Sequence, residues 1–185
     1  NFFSHVLELL SISIEATRPG MVGHPVRSAK LACAIGRALG MEEYDYRMLY
    51  YAGILHDVGY LAFGNSSVLL EFGLTRATEE HHPGLSVKLL EGIKLLEGAL
   101  PIVHSHQENF DGSGYPAKIA GEAIPLGARI LGLVEALEEL RMVGLRGDDL
   151  YKRAIQEAKD GSGTRFDPKV VDAFVEVMKD AASVW

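Results

Sequence analysis

The run Leu49-Tyr50-Tyr51-Ala52-Gly53-Ile54-Leu55 is apolar without a break, and it closes on an adjacent histidine and aspartate, His56 and Asp57, just before Gly59. A run of that kind, bounded by a glycine, reads as a buried helix. The two polar groups at its end then fall where water is scarce. An imidazole and a carboxylate cost free energy to bury unless each finds a partner. Two kinds of partner fit. One is the protein itself, with the histidine satisfied in the core beside a helix end. The other is a divalent cation, because neutral imidazole nitrogen and carboxylate oxygen are both ligands for zinc, manganese or iron. The pair alone does not choose between them. A metal site requires more ligands, at helix ends that a bundle could bring together.

The remainder of the chain is patterned for such a bundle. Phe3, Val6, Leu7, Leu10 and Ile14 recur at helical spacing over Phe2 to Ile14, and Arg18-Pro19-Gly20 breaks the pattern. A second helix is expected from His24 to Leu39, with Pro25 in its first turn and Gly40 as its stop. The third, Glu42 to Val58, carries His56 and Asp57. Leu61 to Thr75 reads as irregular, with Gly64-Asn65-Ser66-Ser67 as a turn. His81-His82-Pro83 opens a helix that runs to Ile93, and Leu95 to Val103 leads into His104-Ser105-His106-Gln107-Glu108. A glycine-rich loop around Tyr115 fills Asn109 to Glu122. Ile124 to Leu140 is apolar nearly throughout. There Glu135, between Leu131, Val134 and Leu137, is expected to point inward, and Glu138 and Glu139 outward to water. Asp149 to Lys159 and Asp167 to Ala182 are amphipathic, the latter with Pro168 in its first turn. No strand-like alternation and no internal repeat is present. The fold class expected is all-α, a bundle of roughly seven to nine helices.

Composition narrows the function classes. With 185 residues, 48% hydrophobic and 23% charged, the chain can bury a sizeable core as one domain over 1–185. Its net charge of -7 argues against DNA, RNA or an anionic membrane as a general partner. An acidic protein still binds a phosphorylated ligand where cations supply the local charge. The one cysteine, Cys33, excludes an internal disulfide, fits a reducing compartment, and reads as a small buried hydrophobe. No signal peptide and no membrane-spanning run is apparent. The chain lacks an initiator Met and opens inside a helix, so the expectation is a domain excised from a longer protein.

Residues of ligand type now stand at helix ends or inside apolar helices: His24, His56, Asp57, His82, His106 and Glu135. In helical bundles, metal sites are built this way, each helix adding one or two side chains. The set exceeds the needs of one cation, and a carboxylate such as Asp57 can bridge a pair about 3.5–4 Å apart.

The order and wording of these segments resemble the HD-GYP family, a branch of the HD phosphohydrolase superfamily. Glu108-Asn109-Phe110-Asp111-Gly112-Ser113-Gly114-Tyr115-Pro116 matches the family's signature loop. Leu55-His56-Asp57-Val58-Gly59, His82-Pro83, Ile124-Pro125-Leu126-Gly127-Ala128-Arg129-Ile130-Leu131 and Phe166-Asp167-Pro168 support it, so the resemblance covers nearly the whole chain. It implies an HD-domain-like bundle with a metal site in its core. It also implies a cytoplasmic bacterial phosphodiesterase that hydrolyses cyclic di-GMP to linear pGpG or GMP with iron or manganese. Such a domain serves as the output of a sensor or receiver domain upstream, with GGDEF-type partner domains and homodimers among its associations. Carried over by position, His24, His56, Asp57 and Glu135 hold one metal, and Asp57 bridges to a second held by His82 and His106. His56 and Asp57 are the catalytic pair. Asp111, Gly114, Tyr115, Pro116 and Arg141 fall to substrate, with Tyr115 hydrogen-bonding a phosphate.

The sequence departs from the family in ways that bear on rate. Gly20 stands where trinuclear members have a glutamate, which implies two metals. Gln107 replaces a second histidine, Tyr60 replaces a phosphate-facing lysine, and Glu135 replaces an aspartate. The arginine-rich stretch after that helix is reduced to Arg141 and Arg146. The expectation is a slow cyclic di-GMP phosphodiesterase. The alternatives are a domain that binds cyclic di-GMP or a partner without turnover, and hydrolysis of another nucleotide by the same metal chemistry.

Overall fold

The computed structural model describes residues 2–15 and 22–181. Among them are nine α-helices and no strand, with a lone bridge between Ser162 and Phe166. The helices are α1 (Phe2–Glu15), α2 (His24–Ala38), α3 (Glu43–Leu55), α4 (Ser66–Glu71), α5 (His82–Leu90), α6 (Leu100–Ser105), α7 (Leu126–Met142), α8 (Gly147–Asp160) and α9 (Pro168–Ala181). Gly20 and the Arg18-Pro19 break lie outside the described residues, as does Ala182. None of the described helices is long and apolar enough to cross a membrane.

Helix α7 is the axis of the bundle. Ile130, Leu131, Leu133, Val134 and Ala136 are buried on several sides of it at once, which is why its sequence is apolar almost throughout. It packs against α2, α3, α6, α8 and α9. The outer helices need only one dry stripe. On α8 that stripe is Leu150, Ala154 and Ala158, four residues apart; on α9 it is Val170, Val171, Phe174 and Met178. The α2–α3 pair forms the other wall, with Ala29, Ala32, Ile35, Leu49, Ala52 and Ile54 at its contact.

Four boundaries differ from expectation: α5 ends at Leu90 rather than Ile93, with Gly92 at positive φ just beyond it, and the other three have local reasons as follows. Helix α3 stops at Leu55 rather than Val58. The His56 ring Nδ1–H donates to the Gly53 carbonyl at 2.9 Å, the acceptor that the Asp57 N–H would need to extend the helix. Asp57 therefore turns into a short 3₁₀ segment, Val58–Ala62. The stretch read as irregular contains α4: Asn65 caps it by accepting from Val68 N at 3.2 Å, so the supposed turn is a helix start. Leu95 to Val103 splits into a 3₁₀ turn, Lys94–Leu96, and α6, which begins just ahead of Pro101.

Arg129 on α7 ties the bundle to the entry of α9. Its guanidinium pairs with the buried Asp167 carboxylate, and its Nε–H donates to the Ile124 carbonyl at 2.9 Å. Asp167 also caps α9 by accepting from Lys169 N at 2.8 Å. Replacing Arg129 by Leu leaves a buried carboxylate without its cation. The expected loss is about 3–5 kcal/mol of folding stability, read from urea unfolding. A loss under about 1 kcal/mol would mean that water solvates this pair.

Candidate metal centre

The ligand-type side chains converge from both ends of the helices. His24 is the first residue of α2 and His82 the first of α5; His56 and His106 cap the C-termini of α3 and α6. Glu135 projects from the middle of α7. All four histidines and Asp57 are buried. They form two groups, His24 with His56 and Glu135, and Asp57 with His82 and His106. In the first, Glu135 Oε2 lies 3.1 Å from His24 Nε2 and 3.2 Å from His56 Nε2. In the second, the Nε2 atoms of His82 and His106 stand 3.0 Å apart. Asp57 spans the two, with Oδ1 3.4 Å from His56 Nε2 and 3.7 Å from His82 Nε2, and Oδ2 3.9 Å from His24 Nε2.

The orientation of the rings says what the groups require. His56, His82 and His106 each point Nδ1 at a backbone carbonyl three residues earlier, those of Gly53, Glu79 and Val103, at 2.9, 2.7 and 2.7 Å. A carbonyl only accepts, so each Nδ1 carries the proton and, in the neutral ring, each Nε2 presents a lone pair inward. Two such lone pairs facing each other at 3.0 Å repel. A cation between them removes the conflict, and the donor set of imidazole and carboxylate suits a divalent transition metal. The residues present therefore fit a metal.

Electrostatics agree. Burial, with His56 and His82 beside it, pushes the pKa of His106 down to about 3, and burial also lowers that of His82. Both rings are then neutral ligands at ordinary pH. Burial opposes a charge on His24, yet Glu135, Glu138 and Asp57 outweigh it and carry its pKa up to about 10. His56 is raised by Glu135 and Asp57 against the same burial. Glu135, which burial alone would raise, is held well below the usual carboxylate range by His56 and His24. These acids retain positive charge at this end of the site, and a divalent ion would compete with the protons for it.

Several supporting residues escaped the sequence reading. Ser28, one turn after His24, donates to Glu135 Oε1 at 3.0 Å. Ser86 Oγ donates to the His56 carbonyl at 2.6 Å and accepts from Gly59 N at 2.8 Å, which locks the His-Asp turn to α5. Gly59 has to be glycine there: a Cβ would fall 2.3 Å from the His82 carbonyl oxygen. Tyr60 stacks on the His82 ring, centroids 4.6 Å apart, and bonds Glu79 through its hydroxyl. Glu138 corrects an expectation outright. It is buried and pairs with Arg27 and Arg141 rather than facing water, whereas Glu139 is exposed as expected. A spacing of three residues on a helix puts Glu138 on nearly the same face as Glu135, which was the available signal.

A cleft of about 360 Å³ opens over the two groups. Tyr115 and Gln107 line it, with Tyr60, Glu79, Glu139 and Met142. The signature loop reaches this position through its backbone: Tyr115 N donates to the Gln107 carbonyl at 3.2 Å, and the buried Glu108 carboxylate accepts from Ala117 N and Lys118 N at 2.6 and 3.0 Å. Gly114 packs so closely that a Cβ would lie 2.3 Å from Asn109 N. Pro116 follows Tyr115 through a cis peptide bond. Asp111 is turned to its own loop, accepting from Ser113 N at 2.9 Å, and lies outside the cleft lining. Arg141 is on Glu138, 3.1 Å from Oε1, and faces a separate pocket beside Leu150 and Tyr151. Burial raises the pKa of Tyr115, helped by Glu79, Glu80, Glu139 and Asp57, so its hydroxyl keeps its proton.

Comparison with known proteins gives a consistent neighbourhood. The HD domain family model matches residues 8–170. The chain is similar to the cyclic di-GMP phosphodiesterase response regulator RpfG of Xanthomonas campestris pv. campestris, 33% identical, over 91% of this chain and 46% of that protein. It is 29% identical to the 3'3'-cGAMP-specific phosphodiesterase 2 of Vibrio cholerae, over 90% of this chain and 33% of that one. The chain thus spans about half or less of the length of these relatives. Among solved structures, a cyclic GMP-AMP-specific phosphodiesterase of V. cholerae superposes with a TM-score of 0.75 over 96% of this chain and 49% of its own, at 21% identity, which speaks for the fold.

The Ser86 bridge is a measurable part of this architecture. Ser86→Ala strands the buried Gly59 N–H, so stability should fall by about 1–3 kcal/mol in denaturant unfolding. An unchanged midpoint would show that the His-Asp turn holds without α5.

Proposed function

The chain belongs to the HD domain family, in its HD-GYP branch, and from that premise we propose that it is a metal-dependent phosphodiesterase of cyclic dinucleotides, cyclic di-GMP foremost. One observation carries the reading: Asp57, grouped with His82 and His106, also lies 3.4 Å from His56 Nε2 and 3.9 Å from His24 Nε2 of the other ligand group, in a cleft that the signature-loop Tyr115 lines. We assign His24, His56, Asp57 and Glu135 to one divalent ion, and Asp57, His82 and His106 to a second, with iron or manganese as the metals. When bound, such a pair supplies the charge that polarises a phosphoryl group and makes water a competent nucleophile.

The chain's own residues do the rest. Tyr115, protonated at ordinary pH, donates to a phosphate oxygen, and Gly114 and Pro116 set the loop that presents it. His56 and Asp57 hold the catalytic floor at a fixed spacing. Among the described residues, the cleft lining contains Asp57, Glu79, Glu135 and Glu139 but no lysine or arginine. The charge retained on His24 is already spent on Glu135, Glu138 and Asp57, so an anionic ligand depends on the metals for attraction, and unloaded protein should bind it poorly. The substrate roles of Asp111 and Arg141 have less support, since one faces its own loop and the other is held on Glu138. We place the domain as one cytoplasmic unit, the output module of a longer signalling protein with sensor or receiver and GGDEF-type partners, able to form homodimers.

The relatives act on more than one cyclic dinucleotide by name, so cyclic di-GMP and 3'3'-cGAMP are assayed side by side. Protein prepared without chelators and loaded anaerobically should carry two ions per chain and cleave cyclic di-GMP. Asp57→Asn keeps the shape but loses the charge that both groups share. Turnover should disappear and metal content fall. Unchanged content and turnover would reduce Asp57 to a structural residue at a helix end.

The family departures predict a slow enzyme, and the geometry sharpens which one to restore. Tyr60 buttresses His82 by stacking, so replacing it by Lys disturbs a ligand. Gln107 lines the cleft beside the second group and is the cleaner site. Gln107→His adds an imidazole and should raise the single-turnover rate on cyclic di-GMP by roughly tenfold, about 1.4 kcal/mol of barrier. Equal rates at matched metal loading would make Gln107 a neutral replacement. Binding of cyclic di-GMP without turnover in both proteins would favour the non-hydrolytic module.

A further inference from the structure

We infer that Glu138 is a positioning residue for the metal ligand His24, accepting its Nδ1–H from a carboxylate that Arg27 and Arg141 hold in place. The inference rests on the metal reading above and is independent of the substrate.

The four histidines are not oriented alike. His56, His82 and His106 anchor Nδ1 on carbonyls of their own turns. His24 opens α2, so no preceding turn of that helix offers it a carbonyl. Its Nδ1 is buried and makes no hydrogen bond. It faces Glu138 Oε2 at 3.6 Å. A histidine that binds metal through Nε2 carries its proton on Nδ1, and that N–H is almost always taken up by a carboxylate, a carbonyl or water. Glu135 is on the Nε2 side of the ring and is not available for this. At 3.6 Å the contact is longer than a hydrogen bond, and closing it takes a ring movement of roughly half an ångström. Such contacts often tighten only when a site is filled.

Glu138 is built to hold still. It is 2% exposed. Oε2 accepts from Arg27 Nε at 3.0 Å and Nη2 at 2.8 Å, and Oε1 lies 3.1 Å from Arg141 Nε. Arg27 is on the first turn of α2, three residues from His24, and its Nη1 also donates to the Val22 carbonyl at 2.8 Å. The arginine that fixes the acceptor thus also fixes the chain entering the ligand. Two guanidiniums on its oxygens keep Glu138 a carboxylate. It is therefore an acceptor only. When a metal displaces the second proton, that leaves Nε2 of His24 as the lone-pair atom facing Glu135 and His56. Without Glu138, the opposite tautomer would place a proton where the metal binds.

Manganese(II) alone, titrated into the full chain and followed by calorimetry and by electron paramagnetic resonance, tests this. Wild type should show two sites. Glu138→Gln, which keeps a weaker acceptor, should lower the affinity of one site about tenfold, and Glu138→Met, which keeps none, about a hundredfold. The other site should keep its affinity; His106→Ala, which weakens that other site, identifies which is which. Unchanged affinities, or equal weakening of both sites, would make Glu138 a structural ion-pair partner and overturn the inference. Wild type that binds no metal would overturn the metal reading as well, whereas wild type with two sites and indifferent variants sinks only this inference. Should the variants not fold, ¹⁵N histidine spectra of zinc-loaded wild type decide. A slowly exchanging His24 Nδ1–H supports the assignment, and an unprotonated or freely exchanging Nδ1 refutes it.

Discussion

Four imidazoles and two carboxylates meet in the middle of an otherwise apolar bundle, and the lone pairs of two of the imidazoles confront each other at 3.0 Å. While both rings are neutral, no rearrangement of protein hydrogen bonds satisfies that arrangement, because the outward nitrogens of His82 and His106 are already spent on carbonyls. The constraint explains much of the surrounding design. His56 and His106 enter at helix C-termini, where backbone carbonyls are unused and can hold a ring. The α7 axis brings a carboxylate inward from an apolar helix. Ser28, Ser86 and Tyr60 then restrain what the helix ends leave loose.

Charge is distributed with the same logic. The cleft floor is acidic and the chain as a whole carries -7, so attraction for a phosphate cannot come from the protein's surface field. Arginines do lie close by, but they are already engaged. Arg27 and Arg141 neutralise Glu138, and Arg129 neutralises Asp167. They serve the scaffold, and specificity for a charged ligand is left to metal and loop.

The helices and the six ligand-type residues that converge could be read in the sequence because both follow from periodicity and from polar residues that interrupt it. His56 closed an apolar run, His24, His82 and His106 stood at expected helix ends, and Glu135 was flanked by Leu131, Val134 and Leu137. Glu138 was misread because a helix pattern marks faces only to within a turn. A carboxylate at the edge of the buried stripe looks solvated until its arginine partner, more than a hundred positions away on another helix, is known. Arg141 follows Glu138 by three residues on the same helix, a spacing that allows their ion pair and could have flagged it. Helix α4 was hidden by its length, and α3 was drawn too long because a side chain took the carbonyl that would have continued it.

The residues that would embrace the ions lie as far apart in the chain as His24 and Glu135, on helices that meet only in the finished bundle. An ion seated among them would act as a crosslink, and its departure would be gated by how often the bundle opens. Exchange of metal would then report on the slow breathing of the protein rather than on the strength of any one coordinate bond. A locally destabilised variant could thus hold its ions as tightly at equilibrium and still trade them quickly.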